Sequence, residues 1–340
     1  MIPPNGLLRI GTRTTPVALA QARHVQDLVV KTASDIVTQI VGVDVPIDRR
    51  DGGFASSGGK DGFLREIDRR LLEGRVDIAV HSMKDVPGDV PLPEGTTFGA
   101  YLPREDVRDA VVFRSGSPWR SLADVPQGTT VGASSVRRAA QLLRLRPDLR
   151  VEQIQGDVAA RLDRLDEQDH YAALVLARSG LERLGAGDRI REVLSHDVMC
   201  PPVGAGVTGL QCRVDDTTVV DLLYQIDDAV TRTHVTAERM LLHNLRGHGG
   251  SPIAAHCHTT PDGRLALRGM VFTRDGRHVV EASGRDDPDR PARLGTTVAT
   301  ELLRKGARAL IDAAPRLGGL PRPWPGPARD RALRHRVGWR

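Results

Sequence analysis

The sequence predicts an α/β protein of two or three domains, and three observations carry that prediction. Its 340 residues exceed what one ordinary core accommodates. Short apolar runs alternate with stretches of helical periodicity, the grammar of mainly parallel sheets with helical crossovers. Each run leads into a short polar loop, and ligands of such sheets lie outside the carboxyl ends of the strands.

The first run, Leu7 to Gly11, reads as a strand, and Thr12 to Thr15 as a tight loop. Pro16 suits the first position of a helix, with Thr15 as its N-cap. Leu19, Ala22, Val25 and Leu28 follow at spacings of three, which puts them on one helical face. The same strand-then-loop pattern recurs at Asp77 to Val80 before His81-Ser82-Met83-Lys84-Asp85, at Thr129 to Gly132 before Ala133-Ser134-Ser135, and at Ala173 to Leu176 before Ala177-Arg178-Ser179-Gly180. After Asp215 the pattern changes. Val219 to Leu242 reads as helices, and Arg264 to Phe272 and His278 to Ala282 as strands joined by the turn Thr273 to Gly276. A long helix over Pro291 to Ala314 completes a smaller α+β domain, with a boundary expected near Thr231 to Thr233.

Composition narrows the class. The hydrophobic fraction is 40% and the charged fraction 27%, as in globular proteins. No run approaches the roughly 18 apolar residues of a membrane helix, and Met1 to Gly6 lacks the pattern of a secretory signal, so a soluble, cytoplasmic protein with no membrane partner is expected. Cys200, Cys212 and Cys257 are odd in number and widely spaced, which indicates reduced thiols and neither a disulfide framework nor a Cys-x-x-Cys metal site. The Pro/Gly/Arg-rich stretch 321–340 holds six arginines and one aspartate, equal to the whole formal net charge of +5. The body is therefore nearly neutral, the tail reads as a disordered solvating segment, and no nucleic-acid partner is expected.

Several side chains point to anion chemistry. Arg137 and Arg138 fall in the first turn of a helix headed by Ser134 or Ser135, where the backbone dipole is already positive and a compensating anion is expected. Free N–H groups and two guanidinium forks suit a carboxylate or phosphate, although an Arg-Arg pair can also be a solvated surface feature. Arg13 repeats the arrangement after the first strand, and Arg161 and Arg183 follow later strands. Against this arginine-rich background lysine occurs only at positions 31, 60, 84 and 305, and Lys60 and Lys84 both sit in loop motifs where a compact point charge can serve a ligand. Asp85, at the carboxyl end of a strand beside lysine and arginines, can remain ionised and stabilise a developing cation, or simply cap a helix. His81 and His256 read as structural or surface residues, since no metal-ligand spacing recurs.

Taken together, Arg9 to Pro16 (RIGTRTTP), Gly58-Gly59-Lys60, Val80 to Pro87 (VHSMKDVP), Arg104 to Ala110, Val131 to Arg138 and Gly180 to Gly185 occur in an order that resembles the porphobilinogen deaminase, or hydroxymethylbilane synthase, family over nearly the whole chain to about Pro315. The resemblance implies two periplasmic-binding-protein-like α/β domains with the active site in the cleft between them and a small C-terminal α+β domain. Mapped here, these are 6–102 plus 207–224, 108–200, and 229–316. It implies a transferase of tetrapyrrole biosynthesis that removes ammonia from porphobilinogen to give a methylene-pyrrolenine electrophile, which the α-carbon of a primer-bound chain attacks. By position, Asp85 is the carboxylate that hydrogen-bonds pyrrole N–H groups, with Lys84 beside it. Arg13, Thr15, Lys60, Ser82, Ser134, Ser135, Arg137, Arg138, Arg161 and Arg183 match positions that hold pyrrole acetate and propionate groups.

The resemblance also implies a dipyrromethane cofactor anchored to cysteine, and there the sequence departs from it. Where the family reads Gly-Gly-Cys-x-x-Pro-Ile, this chain reads His248-Gly249-Gly250-Ser251-Pro252-Ile253, so Gly249 stands at the cysteine position and no thioether forms there. Cys257 lies eight residues on, about 26 Å along an extended strand at roughly 3.3 Å per residue, too far for a simple replacement. Ser56, Ala133, Gln155, Asp157 and Ala205 also replace family residues, two of them cations, and each lost charge-assisted bond weakens polycarboxylate binding by about 1.5–3 kcal/mol. The expectation is a monomeric, metal-free transferase acting on porphobilinogen or a close pyrrole carboxylate, with no covalent cofactor and a short linear oligopyrrole as product. Two alternatives stand beside it: an ordinary hydroxymethylbilane synthase with a non-covalent or relocated primer on Cys200, Cys212 or Cys257, and a non-catalytic binder of an anionic metabolite.

Overall fold

A computed structural model describes residues 6–43, 60–247 and 250–313. In chain order these form β1 (Leu7–Arg13), α1 (Pro16–Thr32), β2 (Val37–Val43), α2 (Lys60–Leu72), β3 (Ile78–Ser82) and β4 (Thr96–Tyr101). Next come β5 (Asp109–Phe113), β6 (Thr130–Gly132), α3 (Val136–Leu145), β7 (Arg150–Glu152), α4 (Val158–Glu167), β8 (Ala173–Ala177), α5 (Arg178–Arg183) and β9 (Glu192–Leu194). The chain continues through β10 (Thr208–Arg213), α6 (Thr217–Gln225), α7 (Ala229–Asn244), β11 (Ile253–Thr259), β12 (Leu265–Phe272), β13 (Val279–Asp286), α8 (Pro291–Arg304) and α9 (Ala307–Asp312). Two compact units result, one within Met1–Asp106 and Gly204–Val235, the other within Val107–Val203 and Thr236–Arg316.

The first unit is a five-stranded sheet in the order β2-β1-β3-β10-β4. Its apolar strands are sandwiched between helices, which explains why they read as continuous runs instead of alternating ones. On one face Leu8, Ile10, Ile78, Val80 and Leu210 pack with Ala22, Val25 and Val29 of α1 and with Val219 and Leu223 of α6. On the other, Phe63, Ile67 and Leu71 of α2 cover Val43, Val76 and Ala79. Pro16 opens α1 after Thr15 as expected, but the Thr15 side chain makes no capping hydrogen bond.

The second unit contains a sheet of the same plan, β7-β6-β8-β5-β9. Ala139 and Leu142 of α3 cover one face over Val131, Val151 and Val175, while Leu162, Leu165 and Leu181 of α4 and α5 cover the other over Val112, Leu174 and Leu176. A separate antiparallel sheet, β11-β12-β13, completes the unit. It buries Ala255, Cys257, Leu267 and Val280 against Leu241 of α7, Leu294, Val298 and Leu302 of α8, and Leu310 of α9. The fold class is thus α/β with a small C-terminal α+β portion.

The structure corrects the sequence reading in three places. Both large sheets are mixed: β1 runs parallel to β2 and β3, but β10 lies antiparallel to β3 and β4, and β5 lies antiparallel to β8 and β9. Strand direction depends on where the returning chain inserts, which local periodicity does not record. The long C-terminal helix is two helices, because Gly306 at φ +94° sits in the left-handed region that stops α8 and starts α9. Strand β11 escaped notice, since Ile-Ala-Ala-His-Cys-His-Thr has little β-branched or aromatic signal; it is held by pairing with β12 through all seven of its residues. The 321–340 tail, Ser56 and Gly249 lie outside the described residues.

Candidate active site

In the first unit, β1 and β3 are parallel neighbours, in register at Ile10 and Ile78, so their carboxyl ends open on the same edge of the sheet. Arg13 ends β1. Just past β3, one 3-10 turn over Met83–Asp85 carries Lys84 and Asp85. This topology brings Arg13 Nη1 to 3.7 Å from Asp85 Oδ2, with the two side chains 25% and 19% exposed, open enough to meet a ligand. The Arg13 guanidinium also stands 4.5 Å from the centre of the buried Phe63 ring on α2, a cation–π contact that steadies its orientation. Lys60 is the first residue of α2.

Backbone and buried polar groups hold the Asp85 turn from behind. The Met83 N–H donates to the Val207 carbonyl at 3.0 Å, and that of Val86 to the Met83 carbonyl at 3.2 Å. Gly204, at φ +71°, presses so closely that a Cβ there would lie 2.7 Å from Met83 Cβ and 2.8 Å from its carbonyl carbon. Ser82 Oγ donates to Gln21 Oε1, and Gln21 Nε2 donates to Thr208 Oγ1, both at 3.0 Å. Beneath, His81 Nε2 lies 2.8 Å from Gln211 Oε1, whose amide donates to Asp68 and Thr96. His81 is therefore a buried structural residue.

The second unit assembles the other residues. Arg137 and Arg138 do lie in the first turn of α3, and both are buried. The anion that compensates them within the chain is Asp109, at the start of β5, which accepts from Arg137 Nη2 at 2.6 Å and from Arg138 Nη2 at 2.7 Å. Burial alone would raise the Asp109 carboxyl, but the two guanidinium charges outweigh it and hold the group well below the usual carboxylate range. One carboxylate between two guanidinium groups leaves a formal positive charge at the head of α3. The Nε atoms of both arginines are buried without a hydrogen-bond partner among the described residues. Ser135 occupies the N-cap position of α3 without a side-chain cap bond, whereas Ser134 Oγ accepts from Arg161 Nη1 at 2.9 Å. Arg183 closes α5, and Asp157 caps α4 by accepting from the Ala160 N–H at 2.9 Å.

Comparisons with known proteins match this arrangement of motifs to one family. Residues 8–221 match the porphobilinogen deaminase, dipyromethane cofactor binding domain, and residues 232–304 match the porphobilinogen deaminase C-terminal domain. The chain belongs to the porphobilinogen deaminase family. Porphobilinogen deaminase 2 of Streptomyces coelicolor is 46% identical over 311 residues, covering 90% of this chain and 96% of that protein. The family assigns the reaction class, a deaminating, oligopyrrole-forming transferase of the hydroxymethylbilane synthase type. Among solved structures, the methionine-binding protein MetQ is 12% identical with a TM-score of 0.41, covering 70% of this chain and 96% of that one. A YaeC-family pheromone precursor lipoprotein of Enterococcus faecalis is 14% identical with a TM-score of 0.41, covering 65% of this chain and 91% of its own.

The matched family domain is the one that binds the dipyromethane cofactor, and position 249 of this chain is glycine. Cys200, Cys212 and Cys257 are each no more than 1% exposed, and burial pushes the Cys200 thiol up to about 12 and that of Cys212 up to about 11. Inert thiols of this kind are poor nucleophiles. Sequence reasoning missed Phe63, Gln21, Gly204 and Asp109. Only Asp109 carried a usable signal, an acid inside the quoted Arg104 to Ala110 motif; the other contacts join residues far apart in the chain.

Proposed function

We propose that this protein deaminates porphobilinogen or a close pyrrole carboxylate and condenses the product into a short linear oligopyrrole without a thioether-linked primer. The observation that carries the reading is the ionic pair of Asp85 and Arg13 at the carboxyl ends of β3 and β1. In the proposed chemistry the aminomethyl C–N bond breaks and ammonia leaves, giving a methylene-pyrrolenine cation. Asp85 accepts the pyrrole N–H and stabilises that cation, since a fixed carboxylate gains strength as positive charge develops beside it. The α-carbon of a second pyrrole then forms the new C–C bond and loses its proton. Arg13, Thr15, Lys60, Ser82, Ser134, Ser135, Arg137, Arg138, Arg161 and Arg183 hold the acetate and propionate groups, and Lys84 supports Asp85. The net positive charge of the Asp109-Arg137-Arg138 cluster supports this role for the arginines.

Glycine at position 249 and the burial of all three cysteines support primer-independent condensation over a relocated covalent primer. The deciding experiment is intact-protein mass spectrometry before and after incubation with porphobilinogen, with ammonia release and soluble products followed in parallel. An unchanged protein mass, ammonia and a free short oligopyrrole are expected. A covalent dipyrrole adduct would overturn primer independence, a free tetrapyrrole would overturn the short product, and absence of ammonia would point to another substrate or to simple anion binding.

A further inference from the structure

The outer face of the β11-β12-β13 sheet changes character along its length. At one end Ala254, Met270 and Phe272 are buried with Ala140 and Cys200. Beyond them the strand register sets two rows: His256, Arg268 and Ser283 lie side by side, followed by His258, Ala266 and Arg285. Ala266 is the short residue in the middle of the second row. Over it lies an open surface cavity of about 280 Å³ lined by His258, Arg268, Ser283 and Arg285, of which all but Arg268 are exposed, just below the roughly 300–1,000 Å³ of ligand pockets.

Its donors are only partly committed. Arg268 spends Nε on Glu281 at 2.7 Å and Nη1 on the Asp197 carbonyl at 3.3 Å, with the Asp197 carboxylate 3.9 Å from the same Nη1, so that Nη2 is its remaining donor edge. Arg285 makes no hydrogen bond or ion pair among the described residues, and nor does Arg268 Nη2. His196 stacks on His256 and His258 with ring centroids 5.2 and 6.4 Å apart, and those two rings are 5.6 Å apart. The rings lie within 16–32° of parallel, and among the described residues no group of His, Cys, Asp or Glu is arranged to hold a metal ion. An arginine with no hydrogen bond or ion pair among the described residues, a second with one open fork edge and a serine hydroxyl around one small cavity form a receptor for an oxyanion.

We propose that this cavity is a second ligand site, separate from the pyrrole-handling residues, that takes a small doubly charged oxyanion of the phosphate or dicarboxylate class. Binding there is coupled to pH through the histidine stack. His258 is held below its ordinary value by burial and then by the charges of His196 and Arg285, against the pull of Asp197. The other charged or titratable groups around it are His256, Arg268 and Glu281, with Asp262 acting on Arg285 from the β11–β12 turn. A bound dianion offsets the repulsion, so affinity rises as pH falls and His258 takes up a proton.

The test is isothermal titration calorimetry of the full chain with inorganic phosphate, pyrophosphate and succinate at constant ionic strength, at about pH 6 and about pH 8, on either side of the histidine range. One saturable site per chain is expected, tighter at the lower pH. Arg285→Ala, and Ala266→Leu which fills the cavity, should each weaken it about tenfold or more, while Arg285→Lys retains most of the binding. His258→Gln should flatten the pH dependence. The ranking of the phosphates against succinate identifies the class. No saturable binding, or binding unchanged in both Arg285→Ala and Ala266→Leu because the anion sits on other arginines, would overturn the site. So would zinc uptake lost in His258→Gln without anion binding.

Discussion

Arg13 and Asp85 meet at 3.7 Å although they stand 72 positions apart in the sequence, because β1 and β3 lie side by side and parallel in one sheet. The contact is loose and part-exposed, so it adds little to stability, within the roughly 0–1 kcal/mol of exposed ion pairs. Asp85→Asn is therefore expected to unfold at nearly the wild-type urea midpoint while losing about 10²–10³ in kcat, as when a fixed electrostatic group is removed from a reacting centre. Ammonia release from porphobilinogen measures the second quantity. Wild-type turnover in Asp85→Asn would remove this residue from the chemistry.

Asp109 gives the opposite balance. Asp109→Asn leaves Arg137 and Arg138 buried without their shared anion, and a loss of about 3–5 kcal/mol in unfolding free energy is expected. The pH dependence has a definite sign. The folded carboxyl is held below its unfolded value of about 3.9, so its stabilising contribution is full above that pH and is lost as pH falls toward the folded value. Urea unfolding between about pH 5 and pH 2 should show a weaker acid dependence in Asp109→Asn than in the wild type.

The cysteines are expected to resist reagents. Native protein treated with iodoacetamide near pH 8 should gain no alkyl groups, because all three thiols are buried and those of Cys200 and Cys212 are pushed up to about 12 and about 11. After denaturation three groups should appear by intact mass. Rapid native labelling of one thiol would reopen the relocated-primer reading.

Gly204→Ala tests the support of the Asp85 turn. The added Cβ would sit 2.7 Å from Met83 Cβ on a residue at φ +71°, so the turn or the loop must shift. A destabilisation of about 1–3 kcal/mol is expected, with a fall in kcat larger than the change in KM as Asp85 leaves its position. Steady-state kinetics beside thermal unfolding separate the two effects.

Much of this arrangement was legible in the sequence. The strand-loop-helix punctuation at Arg13 and at Ser134 to Arg138 is local, written in apolar runs, Pro16 and polar loop residues, and the structure has both; at Lys84-Asp85 the strand is followed only by a 3-10 turn and then by β4, with no helix. The thiols were read as reduced, and they are free and buried. The mainly parallel sheets, the unbroken C-terminal helix and the absent β11 were misread because each depends on what a segment pairs with, or on one backbone angle at Gly306.

By itself the sequence determined the α/β class, the family motifs, and the absence of a thiol at 249, which follows from residue identity whatever the fold. Only the tertiary structure decided that the anion facing Arg137 and Arg138 is Asp109, that Phe63 carries Arg13, and that Ala266 opens a cavity between His258 and Arg285. Local propensity acts over a few neighbouring residues, whereas burial, ion pairing and strand register are set by partners tens of residues away, and these long-range contacts decide which charges are already neutralised and which remain for a ligand.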